Sequence, residues 1–477
     1  MGQEIDETRF TQEHFHTFSR RLKEETALLK QWLQEGRFPD EPARIGLELE
    51  AWLVDGQGRP APRNAEVIAR CDDSHLETEL ARYNLELNTD PMALPGRPFS
   101  ELAGVLEQRW AALHRAAQAE QCQPALVGIL PTVRESDLSV AAMSGQKRYQ
   151  ALNEQVLALR NRRPIHLDIR GEEHITLDHP DVMLESAATS LQLHLQVTPA
   201  NAHRLFNAAV AASAATVGTA ANSALLFDRL LWAETRIPLF EQAVAVTPLH
   251  GGHAGPMARV GFGSGYARDA LYGWFVENRQ HYPVLLPVLQ DTPPEALAHL
   301  RLHNGTIWRW NRPLVDPGET GTPHLRIEHR VMAAGPTLSD VVANAAFFYG
   351  LVHGLVLKEP ELEMRLPFVT AQANFYSAAR HGLEAPVTWL GQQSGPLREL
   401  ILAELLPLAR VGLEHQDVAS DEIERWLGLI RERVSSGQTG AAWQRAWWQR
   451  HGHDAGALTR AMLEQQQTRQ PVHRWPV

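Results

Sequence analysis

Residues 44–55 constrain the fold most, because they form an alternating segment whose polar positions are acids. Side chains two residues apart in a β-strand point to the same face, so Leu47, Leu49 and Ala51 lie opposite Glu48 and Glu50. Glutamate is depleted from strands, and two adjacent carboxylates on one face repel each other unless a cation lies between them. The segment therefore predicts a half-buried strand with a cation-binding face.

Three further segments alternate in the same way, at residues 83–89, 191–197 and 324–330. Their polar positions are Glu86, Asn88, Gln192, His194, Gln196, His324, Arg326, Glu328 and Arg330. Each segment alone is typical of a half-buried strand in an antiparallel sheet. Together they supply the carboxylates, histidine and arginines that bind Mg²⁺ and phosphate. The coincidence of four such faces predicts one shared site.

Length and charge limit the class of protein. The chain of 477 residues, with 44% hydrophobic and 21% charged residues, is typical of a globular protein with a large core. A net charge of −11 argues against a general nucleic-acid or anionic-membrane surface. The two cysteines have no zinc spacing, no apolar run approaches the ~18 residues of a spanning helix, and residues 1–6 lack a signal layout. We therefore expect a cytoplasmic protein without nucleic-acid or membrane partners.

Helical periodicity alternates with these strands along the chain. It predicts helices at about 9–36, 74–81, 98–120, 148–160, 200–221, 267–278 and 292–301, and a mainly helical chain after 337. A strand is predicted at 124–129 and a hairpin at 164–178. The predicted division is an N-terminal helical segment (1–40), a catalytic domain (41–370) and a C-terminal helical extension packed on it (371–477).

Two other regions have open interpretations. The glycine-rich stretch 248–266 matches neither a Walker loop nor a dinucleotide fingerprint, so a mobile loop near a ligand and a plain surface loop are both possible. The C-terminal tryptophans are more typical of a core or interface than of a ligand platform. They are Trp426, Trp443, Trp447 and Trp448.

Several polar residues have both a structural and a functional interpretation. Arg326 and Arg330 either pair with Glu328 along the strand or contact a transferred phosphoryl group. Arg236 is either solvated or clamps a substrate carboxylate. Residues 303–313 hold two tryptophans among arginines, as a structural stack or as a substrate-contacting turn. Since no Gly-x-Ser-x-Gly elbow or Cys–His pair is present, a phosphoryl mechanism based on positioning and metal charge is favoured.

These motifs resemble the glutamate–cysteine ligase family, in its bacterial and plant carboxylate–amine ligase branch within the glutamine-synthetase-like superfamily. The resemblance covers roughly residues 40–370. It rests on Gly46-Leu47-Glu48-Leu49-Glu50, Glu79 with Leu85-Glu86-Leu87-Asn88-Thr89, Leu191-Gln192-Leu193-His194, Ala221-Asn222-Ser223, Glu234-Thr235-Arg236 and Leu325-Arg326-Ile327-Glu328-His329-Arg330. It implies an α+β fold: a curved, mainly antiparallel sheet with helices on its outer face and a funnel-shaped active site on the concave face.

Carried over position by position, the resemblance implies a set of Mg²⁺ ligands and two smaller sets. The metal ligands are Glu48, Glu50, Glu79, Glu86, His194 and Glu328. Arg330 matches a phosphate-contacting arginine, and we place Arg326 and His194 with it as catalytic. Arg236 matches an arginine that holds the glutamyl substrate, and we place Asn222 and Gln192 with it as substrate-binding.

The chemistry that the resemblance implies uses ATP and Mg²⁺ in glutathione biosynthesis. ATP phosphorylates the γ-carboxylate of L-glutamate, and an amine, with cysteine as the default acceptor, attacks the acyl phosphate to give an amide. The alternatives are a guanidino-kinase-like phosphotransferase and a non-catalytic relative that binds an amino acid or nucleotide. The presence of Glu48, Glu50, Glu86 and Glu328 counts against the non-catalytic alternative. The acceptor amine and the oligomeric state stay open.

Overall fold

One antiparallel sheet, built around the strand Arg44–Val54, organises the fold. The computed structural model describes residues 5, 7–71, 73–246, 258–318 and 321–477. The glycine-rich stretch at 248–266 therefore falls within the described residues only from 258 onward, and the rest of that prediction lies outside them.

The predicted alternating segments are strands. In chain order the strands are β1 (Arg44–Val54), β2 (Leu76–Thr78), β3 (Asn84–Asn88), β4 (Met92–Ala93), β5 (Gln123–Ala125), β6 (Ile165–Arg170), β7 (His174–His179), β8 (Ser190–Val197), β9 (Leu225–Leu226), β10 (Arg229–Leu230), β11 (Asn311–Asp316), β12 (His324–Ala333), β13 (Pro386–Trp389) and β14 (Gln393–Pro396).

The main sheet has the order β11-β12-β8-β1-β3-β2, with β4 and β5 also paired to β1. All of these pairings are antiparallel. The register sets Glu50 opposite Glu86 across β1 and β3, and Glu328 opposite His194 across β12 and β8. Because directly opposed side chains share a face, the acids of three segments and His194 of the fourth gather on one side of the sheet, as predicted.

Helices pack around the sheet. They are α1 (Gln12–Gln34), α2 (Asn64–Cys71), α3 (Pro98–Ala119), α4 (Lys147–Leu159), α5 (Ala202–Ala220), α6 (Arg236–Ala243), α7 (Tyr272–His281), α8 (Ala298–Gly305), α9 (Leu338–Lys358), α10 (Leu362–Arg365), α11 (Phe368–His381), α12 (Leu397–Leu400), α13 (Leu406–His415), α14 (Ser420–Ser436), α15 (Gly440–His451) and α16 (Ala455–Gln467). The apolar strand residues Leu47, Leu49, Leu193 and Ile327 share one core with α5 and α9. The predicted α+β class is confirmed.

Helix α9 corrects one expectation. By length and composition it is apolar enough to cross a membrane, with a mean hydropathy of 1.5, so the prediction that no apolar run approaches spanning length is wrong. However, 89% of its apolar window is buried inside the protein. The core helix of a soluble protein passes the same test of length and composition.

Some local predictions were wrong where tertiary pairing overrides local pattern. The predicted helix at 74–81 is instead the strand β2, which pairs with β3, and the neighbouring helix α2 begins earlier, at Asn64. The predicted strand at 124–129 is shortened to β5. Strand β11 was not predicted, because Pro313 interrupts it. Proline is tolerated there because β11 lies at the edge of the sheet.

The C-terminal helices share the protein's cores. Helices α13 and α14 belong to the same core as the sheet, while α15 and α16 pack into a second core with Trp52 and Tyr83. The four C-terminal tryptophans are all buried, which confirms their structural interpretation. The three-part division of the chain stays a prediction, and the observed cores cross its second boundary.

Candidate active site

Three residues on adjacent strands form a compact polar group on the sheet. Glu48 on β1, His194 on β8 and Glu328 on β12 each offer a ligand atom, and these atoms lie within 4.8 Å of one another. Nε2 of His194 is 3.0 Å from Oε1 of Glu48. Two carboxylates and an imidazole at this spacing are a donor set that suits a divalent cation.

Glu328 is held ionised by two arginines. Its Oε1 accepts a hydrogen bond from Nη2 of Arg312 at 2.8 Å, and its Oε2 accepts one from Nη1 of Arg330 at 3.2 Å. Burial by itself raises the pKa of this carboxyl, but the two guanidinium groups outweigh burial and lower the pKa to about 2. Glu328 therefore keeps its negative charge at neutral pH although only 1% of it is exposed.

A second group of acids lies beside the first. Glu50 accepts hydrogen bonds from the backbone N and Oγ of Ser190, at 2.7 and 2.8 Å, and from Nε2 of Gln192 at 3.0 Å. Burial, with a further contribution from the charge of Glu185, nevertheless raises the pKa of Glu50 to about 7. These donors orient the Glu50 carboxylate without neutralising it.

The neighbours of Glu50 are also acids with raised pKa values. Burial and the charge of Glu50 raise the pKa of Glu79 to about 7. Burial and the charges of Glu48 and Glu79 raise the pKa of Glu86 well above its ordinary value. Burial and the charge of Glu79 raise the pKa of Glu185 to about 8. Such crowding of carboxylates is unfavourable unless cations or protons compensate for the charge.

The donor chemistry of both groups fits Mg²⁺. Carboxylate oxygens are the protein ligands that Mg²⁺ prefers, and a bound divalent cation would offset the burial and the mutual repulsion that raise the pKa values of Glu50 and Glu86. The structure brings all six predicted ligands to this region, three in each group. Their role as ligands stays a prediction.

The predicted catalytic arginines differ in position. Arg330 lies at an irregularity of β12 between His329 and Met332, over the ring of Phe240 at 5.7 Å. Its positive charge also favours ionisation of Glu50 and Glu185, so it lies between the two acidic groups.

Arg326 lies two residues before Glu328 on β12, where its Nη1 is 3.1 Å from Nε2 of His324. It therefore has a contact outside the acidic groups. The catalytic roles of Arg326, Arg330 and His194 stay predictions.

The predicted substrate-binding residues separate into two kinds. Gln192 lies in the site through its hydrogen bond to Glu50, and Arg236, the first residue of α6, is close enough to Glu50 for the charge of that carboxylate to act on it. The side chain of Asn222 is instead fully occupied: Nδ2 donates to the carbonyls of Leu126 and Ala334, and Oδ1 accepts from Gln444. We therefore correct the assignment of Asn222 from substrate binding to the structural frame of the site.

Two site residues were missed in the sequence. Arg312 pairs with Glu328 from the unpredicted strand β11, where it lies directly opposite. Its Trp-rich surroundings favoured a structural stack, and only the alternation around Pro313 signals a strand. Glu185 lies in a short 3₁₀ helix, Val182–Ala187, that carries no periodic pattern, so no sequence signal points to it.

The raised pKa values of the buried acids make the stability of the protein depend on pH. Glu50, Glu79 and Glu185 have folded pKa values of about 7, 7 and 8, above the ordinary glutamate value of the unfolded chain. The folded state therefore binds more protons, and its stability falls as pH rises through these values. From about pH 6.5 to about 8.5 the metal-free protein is expected to lose on the order of 2 kcal/mol of unfolding free energy.

Chemical denaturation across this window, with and without Mg²⁺, tests the dependence. Mg²⁺ is expected to restore stability most at the alkaline end. A Glu185→Gln variant should show a shallower fall, and an exposed Glu107→Gln variant should follow the wild type. A flat or rising metal-free profile would contradict the assigned pKa shifts.

Comparisons with known proteins agree with this geometry. The family model for glutamate–cysteine ligase family 2 matches residues 44–464. A solved glutamate–cysteine ligase from Francisella tularensis in complex with AMP has a TM-score of 0.58 and 12% identity, over 90% of each chain. A bifunctional glutathione synthetase from Pasteurella multocida has a TM-score of 0.51 and 13% identity, over 90% of this chain and 52% of that one. No curated protein matches the sequence.

The match to the family model decides the family, while the solved structures at these identities show the shared fold. The matched residues 44–464 include strands β1, β3, β8 and β12, which carry the acids and His194. The match continues through α13–α15 and most of α16, beyond the motifs recognised in the sequence. The chain therefore belongs to the glutamate–cysteine ligase family 2, a family of ATP-dependent carbon–nitrogen ligases.

Proposed function

We propose that this protein joins the γ-carboxylate of L-glutamate to an amine, with cysteine as the default acceptor, using ATP, Mg²⁺ and an acyl-phosphate intermediate. The observation that carries the proposal is the meeting of two acidic groups and the paired arginines Arg312 and Arg330 on one sheet face. A phosphorylated carboxylate needs such positive charge, from metal and from arginine. No observation favours the guanidino-kinase or the non-catalytic alternative.

The acids supply the places for metal. Glu48, His194 and Glu328 would hold one ion, and Glu50, Glu79 and Glu86 would hold another. Bound Mg²⁺ would neutralise the phosphate oxygens of ATP and of the transferred group. Ser190 and Gln192 keep the Glu50 carboxylate oriented before any ligand arrives.

Arg330 and Arg236 would contact different groups of the reactants: Arg330 the transferred phosphoryl group, and Arg236 the α-carboxylate of glutamate. Arg330 uses one nitrogen on Glu328, and its remaining donors suit phosphoryl oxygens. Nε of Arg236 faces Glu234 and Nη2 donates to the carbonyl of Val331, which leaves Nη1 without an acceptor among the described residues. We assign this nitrogen to the α-carboxylate of glutamate.

The reaction balances in two steps. A γ-carboxylate oxygen attacks the terminal phosphorus of ATP, and the bond to ADP breaks. The amine nitrogen then attacks the acyl carbon, phosphate leaves, and the nitrogen releases a proton.

The first experiment measures ADP release from the purified protein with Mg²⁺-ATP and L-glutamate, with hydroxylamine or a panel of amines as acceptor. We expect ADP release that depends on glutamate, a hydroxamate product with hydroxylamine, and one amine that is used best. The proposal would be contradicted if ADP release were the same with and without glutamate. It would also be contradicted if glutamate-dependent ADP release in the presence of hydroxylamine gave no hydroxamate. The cytoplasmic location and the possible oligomer stay predictions.

Arg236→Ala is expected to raise the KM for glutamate by about 10- to 100-fold, the loss of one charge-assisted hydrogen bond. The KM for ATP should stay within about twofold, because Arg236 contacts only the donor in this assignment. Initial rates with each substrate varied in turn measure both constants. An equal rise in the KM for glutamate and the KM for ATP would contradict the assignment of Arg236 to donor binding.

A further inference from the structure

A buried hydrogen-bond network connects Arg236 to the C-terminal helix α15. Its first part surrounds Glu234, which is completely buried. Oε1 of Glu234 accepts a hydrogen bond from Oγ of Ser223 at 2.6 Å, and Oε2 accepts one from the backbone N of Asn222 at 2.9 Å. The same Oε1 is 3.3 Å from Nε of Arg236. Glu234 therefore holds the guanidinium and the 222–223 backbone together.

The backbone of Arg236 is held as well as its side chain. Its N–H donates to Oγ of Ser223 at 3.2 Å, and Nη2 donates to the carbonyl of Val331 on β12. The guanidinium also lies over the ring of Trp310, 5.7 Å from its centre. One hydrogen bond from Nη2, the ion pair with Glu234 and the contact with Trp310 set the orientation of the guanidinium before a ligand arrives.

The second part of the network comes from α15. Nε2 of Gln444 donates to Oδ1 of Asn222 at 2.9 Å and to its carbonyl at 3.2 Å, while Oε1 accepts from the N–H of Ala224 at 3.0 Å. Gly440 begins α15 against the same residue: a Cβ there would come within 2.0 Å of Oδ1 of Asn222. The close approach of α15 therefore requires glycine at this position, and it clamps residues 222–224.

We infer that Glu234 and Gln444 are positioning residues for donor recognition: α15 fixes residues 222–224, and these residues with Glu234 aim Arg236 at the donor carboxylate. Naming L-glutamate as the donor rests on the proposed function. A pair of buried charges contributes little to stability compared with an apolar core, which favours a role in orientation. The C-terminal helices would thereby act on substrate binding at a distance.

Two substitutions test the inference by kinetics. Glu234→Gln removes the charge at nearly constant shape, and Gln444→Leu removes the bonds of α15 without changing charge. Both are expected to raise the KM for glutamate by about tenfold, with the KM for ATP and kcat within about twofold. Gln449→Leu, an exposed change on the same helix, is the matched control. A loss of kcat with an unchanged KM for glutamate would indicate a merely structural role and overturn the inference.

Combining the substitutions with Arg236→Ala gives a second readout. If Glu234 and Gln444 act through Arg236, the double variants should have the same KM for glutamate as Arg236→Ala alone. Additive increases would overturn the inference. Thermal melts identify any variant that does not fold; Gln444→Leu, which leaves no charge unpaired, carries the test if Glu234→Gln does not.

Crystal structures separate this inference from the proposed function. In the Glu234→Gln and Gln444→Leu proteins the guanidinium of Arg236 is expected to turn or shift from its wild-type position, whatever the donor is. An unchanged guanidinium would overturn the positioning role, even if the wild type ligates glutamate. A displaced guanidinium in a protein that does not turn over glutamate would support the positioning role and reject the proposed donor.

Discussion

Glu328→Gln is expected to lower turnover by roughly 1,000-fold and also to destabilise the fold. The loss of turnover follows because the variant removes one carboxylate of the proposed metal site and the group that orients Arg330. The loss of stability follows because Arg312 is left buried without its partner at 2.8 Å. Breaking a buried pair of this kind costs about 3 kcal/mol.

The pH dependence of this loss has a definite sign. The folded pKa of Glu328, about 2, lies below the ordinary glutamate value, so its contribution to stability is present above the unfolded pKa. The contribution disappears as pH falls from about 4.5 towards about 2. The difference in unfolding free energy between wild type and variant should therefore be full at neutral pH and shrink in acid.

Denaturant unfolding together with the ADP assay tests both parts. Glu107→Gln, an exposed change on α3, controls for the loss of one negative charge. Adding Arg312→Met to Glu328→Gln is expected to recover stability without recovering turnover, because it removes the uncompensated charge. A Glu328→Gln protein with normal turnover would remove this residue from the active site.

Glu48→Gln is expected to lower turnover by a similar factor, roughly 1,000-fold, while the unfolding free energy falls by less than in Glu328→Gln, because Arg312 keeps Glu328 as its partner. The direct partner of Glu48 is His194, at 3.0 Å, and an imidazole, unlike a guanidinium, does not carry an obligatory charge. The variant also lowers the negative charge that raises the pKa of Glu86. The smaller loss of stability and the effect on Glu86 distinguish Glu48→Gln from Glu328→Gln, although both residues belong to the same group.

The same two measurements test this contrast, with Glu328→Gln as the matched variant from the same group. A melt as strongly lowered as that of Glu328→Gln would favour a structural role for Glu48. Retained turnover in Glu48→Gln would instead require the cation to bind at Glu50, Glu79 and Glu86 alone.

The alternation of apolar and polar side chains along four segments can be predicted from the sequence alone. A strand has a period of two because of short-range backbone geometry, so Glu48 and Glu50 had to share a face, as did Glu328 and Arg330. Strand β1, Arg44–Val54, falls within the predicted segment 44–55 and ends one residue earlier. The acids, His194 and the arginines of β12 were therefore accessible to sequence reasoning, because each belongs to a local pattern.

Tertiary structure alone decided which side chains meet. Arg312 reaches Glu328 because β11 pairs with β12, and Glu185 comes from a short 3₁₀ helix outside the sheet. The side chain of Asn222 is held in the frame of the site by Gln444, more than 200 residues away in the chain. Local sterics determine the period of a strand, but pairing and register depend on burial and hydrogen bonds between distant segments. The sequence determined the chemistry of the polar face, and long-range packing determined its neighbours.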